Sequence, residues 1–324
     1  MHNKSRFRAF VTSCRLEFFP ATTSLLFMGL FWGLDEKFDL NSAALFGIAA
    51  LVLAMSNLLG LHVNMLSDYE IDKKYKDFLP TSIDTLGKKT FKAILLIECL
   101  LAFCFVSFLT VILGKIVLLT LWSIGCFVGL AYSLKPLRLK SNPMLNPISL
   151  IMVLCILPMV WVYCVFATSI TLAFSLFCGG IAFGVMGLVL PTELEDFPED
   201  EAAKVRNPTQ VLGPLRASKF AIFATATSVS LASVGAGLGF LATKTPWLWL
   251  LATAVMVVAH GFVIKKLLVL KEVCKQYENA AADEQKKLMQ KIKAITNQSP
   301  QWFGLVAWSG IFAGFLLYLS KIIM

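Results

Sequence analysis

Asn64, Asp68 and Asp72 recur every four residues where a long apolar run ends, in Asn-Met-Leu-Ser-Asp-Tyr-Glu-Ile-Asp. In a helix these three share one face and span about 12 Å. They form a ladder of hard oxygen donors. Ionisable side chains where a membrane helix meets water point to a bound group. A magnesium ion is a fitting guest, since it takes one or two carboxylates and completes its octahedron with water and phosphate oxygens. The competing reading is a helix end that has simply reached water. Lys73, Lys74, Lys76 and Asp77 follow before the chain is expected to turn near Pro80. Such lysines form weak surface ion pairs or neutralise the oxygens of a metal-bound diphosphate. The second role is assigned to one of them.

Two further stretches belong beside the ladder. Glu193, Asp196 and Asp200, at spacings of three and four, also fall on one helical face. Pro191 followed by Thr192-x-x-Glu195 predicts a break and a newly capped helix, and Pro198 a disturbed turn. The run Tyr132-Ser133-Leu134-Lys135-Pro136-Leu137-Arg138-Leu139-Lys140 closes another apolar segment. Its plain reading is an interfacial tyrosine with orientation-setting charges. Its functional reading is a turn at Pro136 that aims Arg138 and Lys140 at the same mouth, where arginine suits bidentate phosphate binding.

The two acidic stretches echo each other. Leu66, Asp68, Tyr69, Asp72 and Lys76 align with Leu194, Asp196, Phe197, Asp200 and Lys204 at a constant offset of 128 residues. Four apolar segments separate the copies, which predicts a parallel tandem repeat with equivalent acidic ends converging on one cavity.

The elements that position these residues are membrane helices. The chain is 57% hydrophobic and 15% charged, with a mean hydropathy of +0.75, whereas a soluble domain carries about 25% charge. Apolar runs near the required length of about 20 residues lie at 18–34, 43–66, 91–113, 116–134, 145–167, 169–191, 218–243, 246–268 and 302–323. The expectation is an all-α integral membrane protein of nine spans, arranged 4 + 4 + 1 around a central cavity. It forms one membrane domain over 1–324, with halves at about 16–140 and 145–270, an amphipathic connector at 271–300 and a final span at 302–323. The connector is expected to rest on the cytoplasmic leaflet or to run through solvent, with Leu288, Ile292 and Ile295 on its apolar face.

Of the 29 basic residues, all but Lys37, Lys115, Lys244 and Lys321 fall in the N-terminal tail or after spans two, four, six and eight. Basic residues are retained in the cytoplasm, so the N-terminus and the acidic mouth are placed inside and the C-terminus on the opposite side. The basic start followed by an apolar run is taken as a retained span, because Trp32 continues the run and no small-residue cleavage site follows. The net charge of +9 suits an anionic substrate and lipid headgroups. Nucleic acid is excluded as a partner by the lack of a basic soluble domain. None of the eight cysteines forms a Cys-x-x-Cys pair, so they are assigned to packing. His62, His2 and His260 are likewise assigned to structure.

At these residues the chain resembles the UbiA superfamily of intramembrane prenyltransferases. The resemblance covers the nine-span architecture and three motif regions: Asn64-x-x-x-Asp68-x-x-x-Asp72, the Tyr132-Ser133-x-x-Pro136-x-Arg138-x-Lys140 run, and Asp196-x-x-x-Asp200. It implies magnesium-dependent transfer of an isoprenyl group from a diphosphate to a lipophilic acceptor, of which an aromatic quinone precursor is one class. Membership implies metal ligands at Asn64, Asp68, Asp72, Glu193, Asp196 and Asp200. It implies diphosphate contacts at Asn64, Lys76, Arg138, Lys140 and Lys204. Catalytic roles fall to Asp68, Asp72, Asp196, Asp200 and Tyr132, with Tyr132 or Tyr69 presenting an aromatic face to the allylic cation.

The chain departs from the family pattern in several places. Met65 follows Asn64 where Asp is frequent, Lys76-Asp77-Phe78-Leu79-Pro80 replaces an Arg-Pro, and Glu193 stands where Asp is frequent. No carboxylate clamp for a hydroxybenzoate acceptor is identified. The alternatives are a terpene cyclase on the same scaffold, in which the cation closes on its own chain, and a non-enzymatic transporter.

Overall fold

A computed structural model of the chain describes residues 2–75, 78–202 and 206–323. Every regular element among them is helical. In chain order they are α1 (His2–Ser13), α2 (Phe19–Gly33), α3 (Leu40–Tyr75), α4 (Phe78–Leu86), α5 (Lys88–Leu113), α6 (Ile116–Ser133), α7 (Leu145–Ile151) and α8 (Leu157–Phe166). Then come α9 (Leu172–Glu195), α10 (Phe197–Ala202), α11 (Pro208–Leu212), α12 (Pro214–Ala242), α13 (Pro246–Asn279), α14 (Ala282–Thr296) and α15 (Ser299–Ile323). A π-turn at Met152–Ile156 joins α7 to α8 in one span, where Pro158 supplies no N–H to the ladder.

Among the described residues eight helices are long and apolar enough to cross a membrane, and the chain is a multi-pass integral membrane protein. The first of the nine expected spans is shorter. Helix α2 has 15 residues and rises about 22 Å, against a hydrocarbon thickness of about 30 Å. It begins only after a 3₁₀ turn at Leu16–Phe18.

The packing follows chain order within two groups. Helix α3 packs on α5 and α6, while α12 packs on α9 and α13. Helix α2 joins the groups by lying against α3, α8 and α15, and α15 also packs on α13 and α9. The main core fills this junction with Trp32, Phe174, Phe177 and Phe240. Lipid tails offer no hydrophobic drive between helices, so small residues that let backbones approach carry the association. Gly180, Gly184 and Gly187 of α9 face Ala232, Ser228 and Thr225 of α12 in this way.

Two expected helix breaks fall elsewhere. Helix α9 runs straight through Pro191 and stops only at Asp196. The contact with α12 holds this helix on one side, and the Thr192 hydroxyl donates to the Val189 carbonyl at 2.6 Å. Pro80 and Pro198 lie in the first turns of α4 and α10. Prolines are tolerated there because first-turn N–H groups have no intrahelical partner.

The amphipathic connector is also placed differently. Its first part continues α13 to Asn279, and its second part is α14. Leu288, Met289 and Ile292 of α14 are buried, and the helix packs on α13 and α9. The apolar face is therefore covered by protein and not by the leaflet. Lys286, Lys287 and Lys291 remain exposed on the other face.

Histidines tie helices together, as expected. His260 Nδ1 donates to the Met256 carbonyl at 2.8 Å, which leaves Nε2 to accept from Ser228 Oγ at 3.0 Å and link α13 to α12. His62 bridges Glu98 of α5 at 3.0 Å and Ser13 of α1 at 3.2 Å, with the Phe91 ring edge-on at 5.1 Å. Both ring nitrogens of His62 are thus engaged in a buried site. A buried polar group that loses its partner costs about 1–3 kcal/mol. Glu98→Leu is expected to lower the thermal midpoint in detergent far more than Glu98→Gln, which keeps an acceptor for His62; equal losses in the two variants would contradict this tie.

Two of the lysines set apart from the basic segments also have structural work. Lys115 Nζ donates to the carbonyls of Cys164, Val165 and Ala167 at 2.9–3.1 Å, closing the C-terminus of α8. Lys321 does the same for α2 through Trp32 and Leu34, at 2.8 and 3.3 Å, and pairs with Asp35. Cations belong at helix C-termini, where unpaired carbonyls concentrate negative potential.

Candidate active site

The last three turns of α3 carry Asn64 and Asp68, and the loop after α6 delivers the opposite charge. Arg138 adopts a left-handed backbone, with φ 34°, at the entry to a 3₁₀ turn over Leu139–Ser141. That reversal brings Arg138 and Lys140 onto one carboxylate. Arg138 Nη2 donates to Asp68 Oδ1 at 3.1 Å, and Lys140 Nζ donates to Asp68 Oδ2. Lys140 also donates to Asn64 Oδ1 at 2.9 Å and to Ser67 Oγ at 3.3 Å. Asn64 Oδ1 accepts a further bond from Ser133 Oγ at 3.1 Å.

Three oxygens of different chemical type therefore converge on one ammonium. Carboxylate, carboxamide and hydroxyl oxygens are a donor set that suits a hard divalent cation, and here the Lys140 ammonium lies among them. Among the described residues no three His, Cys, Asp or Glu side chains cluster as a metal cage. Burial lowers the Lys140 pKa below the ordinary lysine value, with Asp68 and Asp72 opposing the shift. Arg138 Nε is buried without a hydrogen-bond partner among the described residues, which leaves a donor in hand for an anion.

The second acidic cluster comes near the first at Tyr132. Both Glu193 and Asp68 are near enough to act electrostatically on the Tyr132 hydroxyl. Glu193 is in the last turn of α9, Asp196 terminates that helix with φ −93° and ψ 7°, and Asp200 belongs to α10. These three residues do not share one continuous helical face, because the chain changes direction at Asp196. The Glu193 carboxylate accepts a hydrogen bond from Asn146 Nδ2 at 3.1 Å.

The structure thus joins Asn64, Asp68, Arg138 and Lys140 by hydrogen bonds, with Tyr132 in electrostatic reach of Asp68 and Glu193 and Asp72 close enough to act on Lys140. Lys76 and Lys204 lie outside the described residues, as does the side chain of Asp200. Tyr69 has another role. Its ring is buried, its hydroxyl donates to Asp84 of α4, and the Lys88 ammonium lies 3.9 Å from the ring centroid. An ammonium already covers that aromatic face, so Tyr69 locks α4 onto α3 instead of facing an allylic cation. Ser133 stood in the Tyr132–Lys140 run without a role of its own, while Ser67 and Asn146 carried no sequence signal of their own. An amide preceding a proline at the start of an apolar run, as in Asn146-Pro147, is the one hint available for the last.

Glu278 and Gln210 support the loop after the second cluster. Glu278 of α13 accepts from the Leu215 amide at 2.9 Å, capping α12, and Gln210 Nε2 donates to the Phe197 carbonyl at 2.6 Å.

Comparisons with known proteins bear on this site. No curated protein matches the chain. Several solved structures do. A UbiA homolog from Archaeoglobus fulgidus bound to GPP and Mg2+ superposes with a TM-score of 0.62 at 15% identity, covering 92% of this chain and 99% of that one. A digeranylgeranylglyceryl phosphate synthase gives 0.61 at 17% identity, covering 96% and 99%. A UbiA homolog from Aeropyrum pernix K1 gives 0.58 at 17% identity, covering 88% and 97%. These likenesses fix the fold, and the sequence pattern of the UbiA prenyltransferase family matches residues 22–273. The chain belongs to the UbiA prenyltransferase family.

Proposed function

We propose that the protein transfers an isoprenyl group from an isoprenyl diphosphate to a lipophilic acceptor, with magnesium as cofactor, as a transferase of alkyl groups other than methyl. The observation that carries this reading is the hydrogen-bonded cluster of Asp68, Asn64, Arg138 and Lys140, with Tyr132 in electrostatic reach of both Asp68 and Glu193. Acidic oxygens for a cation and basic donors for an anion are interleaved there. The relatives solved with GPP and Mg2+, and with DMAPP and Mg2+, support it. In this reading nine helices cross the membrane in a 4 + 4 + 1 arrangement, with α2 as the first. The N-terminus and the mouth face the cytoplasm, and the C-terminus faces the other side.

Asn64 and Asp68 on one side, with Glu193 and Asp196 on the other, would hold magnesium, and Asp72 and Asp200 complete the two motifs. When bound, the ion supplies positive charge that stabilises the departing diphosphate. Arg138 and Lys140 swing their donors from Asp68 to phosphate oxygens, and Lys76 and Lys204 are assigned the same task. The allylic carbon–oxygen bond breaks and its electron pair leaves with the diphosphate. Tyr132 offers its ring to the allylic cation, and the surrounding apolar helices exclude water from it. A nucleophilic carbon or oxygen of the acceptor closes the new bond and gives up its proton.

The test supplies the purified protein with Mg2+, isoprenyl diphosphates of several lengths and candidate lipid acceptors. Diphosphate release is expected to depend on an added acceptor and on Mg2+. Cyclic hydrocarbon or alcohol formed without an acceptor would establish a cyclase instead. Absence of any diphosphate release would favour a transporter.

A further inference from the structure

The nine residues from Arg138 to Asn146 bind both acidic motifs at once. Arg138 and Lys140 hold Asp68, Asn142 Oδ1 then accepts from the amides of Met144 and Leu145 at 3.0 and 3.1 Å to start α7, and Asn146 reaches Glu193. Asn146 is only 3% exposed. A carboxylate accepts and does not donate, so Nδ2 must be the Asn146 atom that faces Glu193 and Oδ1 must point elsewhere. That oxygen is fully buried and has no hydrogen-bond partner among the described residues. Leaving a buried acceptor unpaired costs about 1–3 kcal/mol. An apolar side chain of similar size would avoid this cost.

We propose that Asn146 is a positioning residue of the cation site, orienting Glu193 through Nδ2 and accepting through Oδ1 a hydrogen bond from a water on the divalent cation. This rests on the cation-and-diphosphate reading above and adds a residue to it. The carboxamide is suited to the double task because it donates on one side and accepts on the other, which neither a carboxylate nor a hydroxyl of fixed orientation does next to Glu193. Partners of this kind orient the groups that hold a metal, and removing one typically lowers metal affinity about 10- to 100-fold. The segment also gives the two motifs a common support, since the chain that pairs with Asp68 is the chain that holds Glu193.

The test reads Mn2+ binding by the loss of the free-ion electron paramagnetic resonance signal, in the presence of inorganic diphosphate, beside the thermal midpoint of the unliganded protein. Asn146→Ala is expected to weaken Mn2+ binding at least about tenfold. Asn146→Asp keeps an acceptor oxygen but sets a like charge against Glu193. It is expected to lower the unliganded midpoint more than Asn146→Ala while retaining Mn2+ affinity within about threefold, because the bound cation offsets the repulsion and itself draws the Glu193 carboxylate into place of the lost Nδ2 bond. A purely structural asparagine would make affinity follow the midpoint in both variants, and that result overturns the proposal. So does unchanged Mn2+ affinity in Asn146→Ala, which leaves the proposed function standing. If Asn146→Ala does not fold, a fall of Asn146→Asp affinity in parallel with its midpoint overturns the proposal, and retained affinity supports it. Failure of the unaltered protein to bind Mn2+ with diphosphate overturns both.

Discussion

Asp68→Asn is expected to lower isoprenyl transfer at least about a hundredfold, the largest loss from any single change at the site. The substitution is nearly isosteric but removes the charge that both Arg138 and Lys140 share. In the unliganded protein it leaves two partly buried cations facing one neutral amide. The thermal midpoint is therefore expected to fall as well, by the equivalent of about 1–3 kcal/mol. Adding Lys140→Met to Asp68→Asn separates the two effects, because it removes one of the stranded cations. The double variant should regain most of the lost stability and none of the activity. Activity returning along with stability would mean that Asp68 acts only as a counter-ion and that the cation site lies elsewhere. Mn2+ titration of the same variants checks the cause directly, since Asp68→Asn is expected to abolish diphosphate-dependent binding.

Gly180→Val is expected to be the most destabilising substitution away from the site. A Cβ at Gly180 would lie 2.8 Å from Ala232 Cα, and closer still to the Ala232 amide nitrogen. On the facing helix a Cβ at Gly235 would lie 2.6 Å from the Ala173 carbonyl oxygen. Both obstacles are backbone, so no rotamer change relieves them. Helices α9 and α12 would have to separate along their whole contact, and overpacking of this kind costs about 3 kcal/mol or more. Because α9 ends at Glu193 and Asp196, the same separation should also weaken diphosphate-dependent Mn2+ binding. The neighbouring Gly179 is the control, since a Cβ there meets nothing within 4 Å. Gly179→Ala should leave the midpoint unchanged or raise it by the equivalent of up to about 1 kcal/mol, through reduced chain entropy. Detergent-solubilised thermal unfolding of the three proteins decides the matter. Similar midpoints for Gly180→Val and Gly179→Ala would contradict the close approach.

The helix ladder could be read from the sequence because its geometry is local. Asn64 and Asp68 lie one turn apart, and 3.6 residues per turn places them on one face whatever the rest of the chain does. The same local rule misled at the second cluster. The spacing of Glu193, Asp196 and Asp200 fits one face only if the helix continues, and it ends at Asp196. Pro191 looked like the break, but packing against α12 carries α9 through it. Helix α14 showed its apolar stripe in the sequence, yet a stripe does not name what covers it; the ends of α9 and α13 do.

Composition and periodicity alone determined that this is a helical membrane protein with acidic residues at helix ends. The reason is that hydropathy and helical pitch act within one segment. Only the tertiary structure decided the partners. Lys140 meets Asp68 across 72 positions and Asn146 meets Glu193 across 47. Neither pairing is encoded in any spacing, since each depends on the turn at Arg138 and on which helices pack side by side. The chemistry of the site was visible as separate residue types, and the fold turned them into one mouth.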